Sequence, residues 1–141
     1  MEIEVYVKAV VMDQKKNHIV LLEDTGSTKI LPIWIGPYEA QAIALPLQEE
    51  EFVRPLTHDL FKNLCDKFQG ELEKVLIKEI NQEGTYLAEL HLKLDGKIRI
   101  MDARPSDAIA LALRSDAPIF LSFRLVEFTI DPENLHMQNS D

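Results

Sequence analysis

The stretch "KILPIWIGPYEAQAIAL" (29–45) is echoed further along the chain as "KIRIMDARPSDAIALAL" (97–113). Each copy passes from an apolar, β-branched run through a proline into an Ala/Leu-rich segment with helical spacing. The two align without a gap at an offset of 68, sharing Lys29/Lys97, Ile30/Ile98, Pro37/Pro105, Ala40/Ala108, Ala42/Ala110, Ala44/Ala112 and Leu45/Leu113. Acid meets acid at Glu39/Asp107. Proline is well placed at a first helical position, where its missing N–H would have had no partner. Both copies therefore read as a strand running into a helix.

Working outward, polar/apolar alternation predicts strands over 3–13, 18–24 and 28–35, joined by turns at "QKKN" and "TGS", with a helix from 37. Sixty-eight positions later the series returns: strands over 73–81, 86–94 and 97–102, then a helix from Pro105. This predicts an α+β single domain containing two βββα units (3–50 and 73–115), a pattern consistent with an ancient duplication. Between them, 57–69 reads as a further helix. Thr57 suits its N-cap, Leu60, Phe61, Leu64, Cys65 and Phe68 fall at helical spacing, and Gly70 ends it. Cys65 on that apolar face reads as a buried, inert thiol. Pro46, inside the first helix, is expected to kink or end it. "APIFLSF" should add a short strand and "RLVEFTI" a strand or helical turn. The domain is expected to close at 130, with 131–141 a flexible tail.

With 141 residues, 46% hydrophobic and 28% charged, the chain can bury a core without staples. One cysteine excludes an internal disulfide and a cysteine-based zinc cluster. The N-terminus lacks the pattern of a signal peptide and no apolar run reaches spanning length, so a cytoplasmic location is expected, off the membrane. Fifteen Lys and Arg stand against 24 Asp and Glu, a formal charge of −9. That balance disfavours bulk attraction to nucleic acid, whose binding rests on phosphate neutralisation; any such binding must be local.

Three acids, Glu39, Asp59 and Asp107, sit in the first turns of helices, where the helix dipole favours them; for Glu39 that structural explanation suffices. Around the other two the polarity is denser. "RPLTHDL" (54–60) and "DARPSDA" (102–108) each place arginine and aspartate at a junction into a helix, the first adding His58 and the second Ser106. Phosphodiester cleavage needs a cation against developing charge, a base or metal-held water, and often carboxylates for Mg²⁺ or Mn²⁺. The two junctions together contain those groups, although each taken alone is equally well read as a local salt bridge.

"LPIWIG" followed by Glu39 and Ala40, then "RPLTHDL", "DARPSDAIALAL" and "APIF", resembles the bifunctional nuclease (BFN) domain family, widespread in bacteria and found in plants. The resemblance runs from about residue 3 to 130 and touches Trp34, Gly36, Glu39, Arg54, His58, Asp59, Asp102, Arg104, Ser106 and Asp107. It implies a compact α+β fold, a nuclease acting on DNA and RNA with a divalent metal, and self-association, a homodimer in the simplest case. On the residues themselves, Asp59, Asp102 and Asp107 are the candidate ligands for Mg²⁺ or Mn²⁺, and His58 is the candidate general base. Arg54 and Arg104 would clamp the phosphate, with Ser106 as a further substrate contact. Trp34, in an apolar strand, reads as core or subunit interface before it reads as a base-stacking platform. His18, His91 and His136 lack partners at ligand spacing and read as structural or solvent-facing. Two other functions fit the same residues: a noncatalytic oligomeric regulatory or scaffold module, and a pocket for a phosphorylated metabolite held by Arg104 and a helix N-terminus. Where the first copy has Trp34, Gly36 and Tyr38, the second has Asp102, Arg104 and Ser106. A catalytic site is therefore expected beside the second copy.

Overall fold

Period-two alternation in the first unit becomes an antiparallel meander of β1 (Glu2–Met12), β2 (His18–Asp24) and β3 (Ile30–Ile35), followed by α1 (Pro37–Leu47). The second unit repeats it as β4 (Glu71–Ile80), β5 (Tyr86–Leu94), β6 (Lys97–Ala103) and α3 (Pro105–Ser115), with α2 (Thr57–Lys67) between the units. The computed structural model describes residues 1–50 and 52–135. β7 (Ile119–Ser122) joins the two halves, antiparallel to β1 and parallel to β4. The result is one seven-stranded mixed sheet of order β3-β2-β1-β7-β4-β5-β6, an α+β fold.

The repeat extends to individual hydrogen bonds. In the β1–β2 turn, Asp13 Oδ1 accepts from the N–H groups of Lys15 (2.9 Å) and Asn17 (2.8 Å). In the β4–β5 turn, Asn81 Oδ1 accepts from Glu83 (2.9 Å) and Thr85 (3.0 Å). Each turn has one left-handed residue, Lys16 (φ 66°) or Gly84 (φ 82°), and only the glycine adopts that conformation without a Cβ penalty. The second hairpins differ. β2 and β3 pair up to Glu23 and Ile30, whereas β5 and β6 pair up to Leu94 and Lys97 around a two-residue turn at Asp95–Gly96.

One face of the sheet carries the helices. Val5, Val20, Leu22, Leu31, Ile33, Leu72, Val75, Ile77, Ala88, Leu90, Ile119 and Leu121 are buried against Ile43 of α1 and Ala108–Ala112 of α3. A register shift between Val7 and Ala9 lets Val5, Val7 and Val10 all turn toward that core. α3 packs against both α1 and α2, and is buried through most of its length. On the opposite face Ile19, Leu21 and Ile30 form a small second cluster under Ile130 and Leu135. "RLVEFTI" resolves into a 3₁₀ segment, Phe123–Phe128. A second 3₁₀ turn, Pro132–Asn134, follows where a frayed tail was expected, and the rest of that tail, 136–141 with His136, lies outside the described residues. Among the described residues no helix is long and apolar enough to cross a membrane.

Two local expectations for α2 are corrected. Thr57 is the first helical residue, not the cap; Leu56 is the N-cap, and its N–H donates to Asp59 Oδ2 at 2.9 Å. The apolar face of α2 is wider than the domain covers. Phe61 packs against the core, while Leu60, Leu64 and Phe68 stay 56%, 58% and 68% exposed. Cys65 is half-buried, and burial pushes its thiol above its ordinary range, in keeping with an inert group.

Pro46 remains inside α1, in its last turn. It deprives the Ala42 carbonyl of its helical donor, and Arg114 of α3 replaces it: Nη1 donates to Ala42 O at 2.8 Å and to Ala110 O at 3.0 Å. Arg114 stands 68 positions after Pro46, as Ala110 does after Ala42, so one guanidinium bridges equivalent carbonyls of the two helices. Its Nε donates to Asp59 Oδ1 at 2.7 Å, adding α2, and the side chain is only 8% exposed. Arg114→Met is expected to lower unfolding free energy by roughly 2–4 kcal/mol, since it orphans a carbonyl and a half-buried carboxylate. Urea unfolding measures this, and a loss below about 0.5 kcal/mol would mean the seam holds without the guanidinium.

Candidate active site

The helix-opening prolines place the N-termini of α1 and α3 side by side, so the acids one turn in meet across the seam. Arg104, the N-cap of α3, donates from Nε to Asp107 Oδ2 (2.8 Å), from Nη2 to Asp107 Oδ1 (3.2 Å) and from Nη1 to Glu39 Oε2 (3.3 Å). Gly36, the N-cap of α1, permits this, because a Cβ there would overlap the Glu39 carboxylate. From α2, His58 Nε2 lies 2.8 Å from Asp107 Oδ1. The result is a chain of contacts, Glu39–Arg104–Asp107–His58, drawn from three helix starts.

Electrostatics fixes the protonation pattern. Burial pushes the Asp107 carboxyl up, but hydrogen bonds from Arg104 and His58 outweigh it and hold the group below its ordinary range. Asp107 is therefore ionised at neutral pH and can only accept. His58 Nε2 must carry the proton it shares with Asp107, which leaves Nδ1 as the ring position for accepting a proton whenever the imidazole is neutral. Arg104 has five N–H donors, three of them engaged, and its side chain is 63% exposed. Two donors remain for a ligand.

Two cavities open on this cluster and share Glu39 and Arg104. One, of about 470 Å³, adds His58, Asp107, Tyr38, Phe52 and Leu56. The other, of about 410 Å³, adds Trp34, Gly84, Thr85, Tyr86 and Ser106. The second cavity is lined by the end of the edge strand β3, the β4–β5 turn with the start of β5, and the Arg104–Ser106 start of α3.

The expected site residues divide. His58, Arg104 and Asp107 come together, Ser106 lines the neighbouring cavity, and Glu39, read from sequence as a helix-dipole acid, joins them as a partner of Arg104. Asp59 accepts from Leu56 N–H and Arg114; those bonds outweigh its burial and hold it below the ordinary range. It is a structural acid at the seam. Asp102 pairs with Glu89 in the β5–β6 ladder, on the strand face that also carries His91, away from the helices. Arg54 is exposed in the loop before α2, makes no ion pair with a described residue and lines neither cavity. Trp34 is not core: it is 56% exposed.

The three aspartates expected to share a divalent ion thus do not converge, and among the described residues no three His, Cys, Asp or Glu side chains are grouped to hold one. The carboxylates that do meet, Glu39 and Asp107, have a guanidinium between them, where a hard cation would need both. The donor set does not fit Mg²⁺ or Mn²⁺.

This α+β domain has known relatives. Residues 19–130 match the bifunctional nuclease domain, and the chain belongs to that family. It is 43% identical over 119 residues to an uncharacterised protein of Mycobacterium tuberculosis, covering 84% of this chain and 70% of that one. It is 34% identical to bifunctional nuclease 2 of Oryza sativa and 30% to bifunctional nuclease 1 of Arabidopsis thaliana. Each plant match covers 72% of this chain but only 32% of the relative.

The depressed acids make a stability prediction. A carboxyl whose folded pKa lies below its unfolded value stabilises above the unfolded value, about 3.9 for aspartate, and loses that contribution as pH falls through the folded one. Asp59 and Asp107 are both of this kind, so unfolding free energy is expected to drop below about pH 4. Asp107→Asn should make the drop shallower; an unchanged acid limb in urea titrations would contradict the assignment.

Proposed function

We propose that this chain hydrolyses phosphodiester bonds in DNA and RNA at the Glu39–Arg104–Asp107–His58 cluster. The observation that carries the reading is the carboxylate-anchored imidazole beside a partly free guanidinium, on an open cavity, in a bifunctional nuclease domain. DNA lacks a 2′-hydroxyl, so a mechanism common to both substrates needs water as nucleophile. His58 Nδ1 takes the proton of that water, the new P–O bond forms, and the bond to the leaving oxygen breaks, with solvent supplying its proton. Asp107 holds the ring and stabilises the imidazolium. The two uncommitted N–H groups of Arg104 meet the non-bridging oxygens, where negative charge builds. No step is routed through a divalent ion.

Asp107→Asn and His58→Ala are each expected to lower cleavage of labelled single-stranded DNA and RNA at least about 100-fold, with circular dichroism unchanged. A folded Asp107→Asn protein that cuts at the parental rate would sink the assignment. Wild-type cleavage is expected to persist in EDTA; abolition by EDTA would transfer the charge neutralisation from Arg104 to a metal.

We infer self-association as well. The support is apolar surface left without a partner: Leu60, Leu64 and Phe68 along α2, and Ile98 and Ile100 (50% and 60% exposed) on the edge strand β6. Light scattering should show a dimer or larger assembly. Leu64→Lys should shift it toward monomer if α2 is the contact, and an unshifted assembly points away from α2.

A further inference from the structure

Resting on the nuclease reading, we propose that the cavity lined by Trp34, Tyr86, Thr85 and Ser106 is a base-binding subsite, which makes unpaired, single-stranded nucleic acid the substrate class. Three observations carry it. First, the cavity continues the active site, since Glu39 and Arg104 form the wall common to both spaces. A phosphate on the free side of Arg104 would have an adjoining nucleotide on the Trp34 side. Second, the lining suits a flat, edge-polar ring. Its about 410 Å³ falls within the range of small-molecule sites, roughly 300–1,000 Å³. Trp34 offers an indole 56% exposed. Third, Ser106 is only 6% exposed and its hydroxyl bonds to no other described residue. Among the described residues no buried side-chain oxygen is sealed without a partner, so this hydroxyl opens on the cavity as an unused donor and acceptor.

Charge argues the same way. Arg104 is the one cationic side chain lining this cavity among the described residues, and two carboxylates already face it. With a chain charge of −9, phosphate neutralisation can contribute little affinity. Stacking of a base on an aromatic ring supplies it without cations. A base inside a duplex is already stacked and paired, and extracting it costs a few kcal/mol. Unpaired strands avoid that cost.

Trp34 is the chain's single tryptophan, so its fluorescence reports on this cavity alone. With the full-length His58→Ala protein, a short oligothymidylate is expected to quench Trp34 emission. An abasic oligomer of equal length should bind roughly tenfold or more weakly and leave emission unmoved. Duplex DNA should compete poorly. In the wild-type background, Trp34→Ala should raise KM for single strands roughly tenfold with kcat changed less than about twofold, and Trp34→Phe should restore most of the loss. Equal binding of thymidylate and abasic oligomers by the His58→Ala protein, while the wild type cleaves, overturns the subsite and leaves the nuclease reading standing. Emission that follows protein concentration and ignores nucleic acid assigns Trp34 to a subunit contact and also overturns it. Absence of both binding and cleavage overturns the nuclease reading, and the subsite with it.

Discussion

The guanidinium of Arg114 is the contact on which the arrangement of helices depends. Pro46 leaves a carbonyl of α1 without its donor, and such a group away from water costs about as much as a lost hydrogen bond. Arg114 supplies the donor from the equivalent position of α3 and extends to Asp59 of α2. One side chain thereby fixes three helices, and their N-termini, relative to one another. The Glu39–Arg104–Asp107–His58 cluster inherits that alignment: Glu39 starts α1, His58 starts α2, and Arg104 and Asp107 start α3. A shift of any helix by one turn would separate the groups, since the contacts among them are 2.8–3.3 Å long.

Most of the fold was legible because its signals are local. Alternation placed six strands within a few residues of their ends, and Pro37 and Pro105 marked two helix starts. The offset of 68 carried through to two helices of equal length and to turns with matching hydrogen bonds. What local signals lack is information about which groups face one another. Asp102 and Asp107 are five positions apart, but Asp102 ends a strand on the face away from the helices, while Asp107 begins the next helix. Period-two reading of β6 against its continuation could have separated them. Ala103 pairs with buried Ala88, so its neighbour Asp102 must point to the other face.

Glu39 and Arg114 escaped for a different reason: their partners are distant in sequence. Glu39 is explained on its own by the helix dipole, and nothing nearby announces Arg104, 65 positions later. Arg114 carries no motif at all. Yet the internal repeat held a usable clue. A proline inside one helix copy and an arginine at the same place in the other form a complementary pair, one removing a donor and one providing several. Repeats are informative where the copies differ as well as where they agree.

The acidity of the chain, awkward at first sight for the proposed nuclease, becomes intelligible at this cluster. Arg104 is held by two carboxylates, so its charge is largely answered before any phosphate arrives. A cation so neutralised gives little long-range attraction. It still presents two N–H groups in fixed directions, and fixed donors act on charge that develops in place, not on charge that must be gathered from solution. The same neutralisation limits rivals: a divalent ion would have to displace the guanidinium from both acids, and a bulk polyanion would meet a surface of like sign. On the proposed function, such a site recognises a single phosphate presented in the right place, which shifts the work of binding onto whatever flanks it. The adjoining cavity, with an exposed indole and an unspent hydroxyl, is the part of this surface that the proposed subsite assigns to that work.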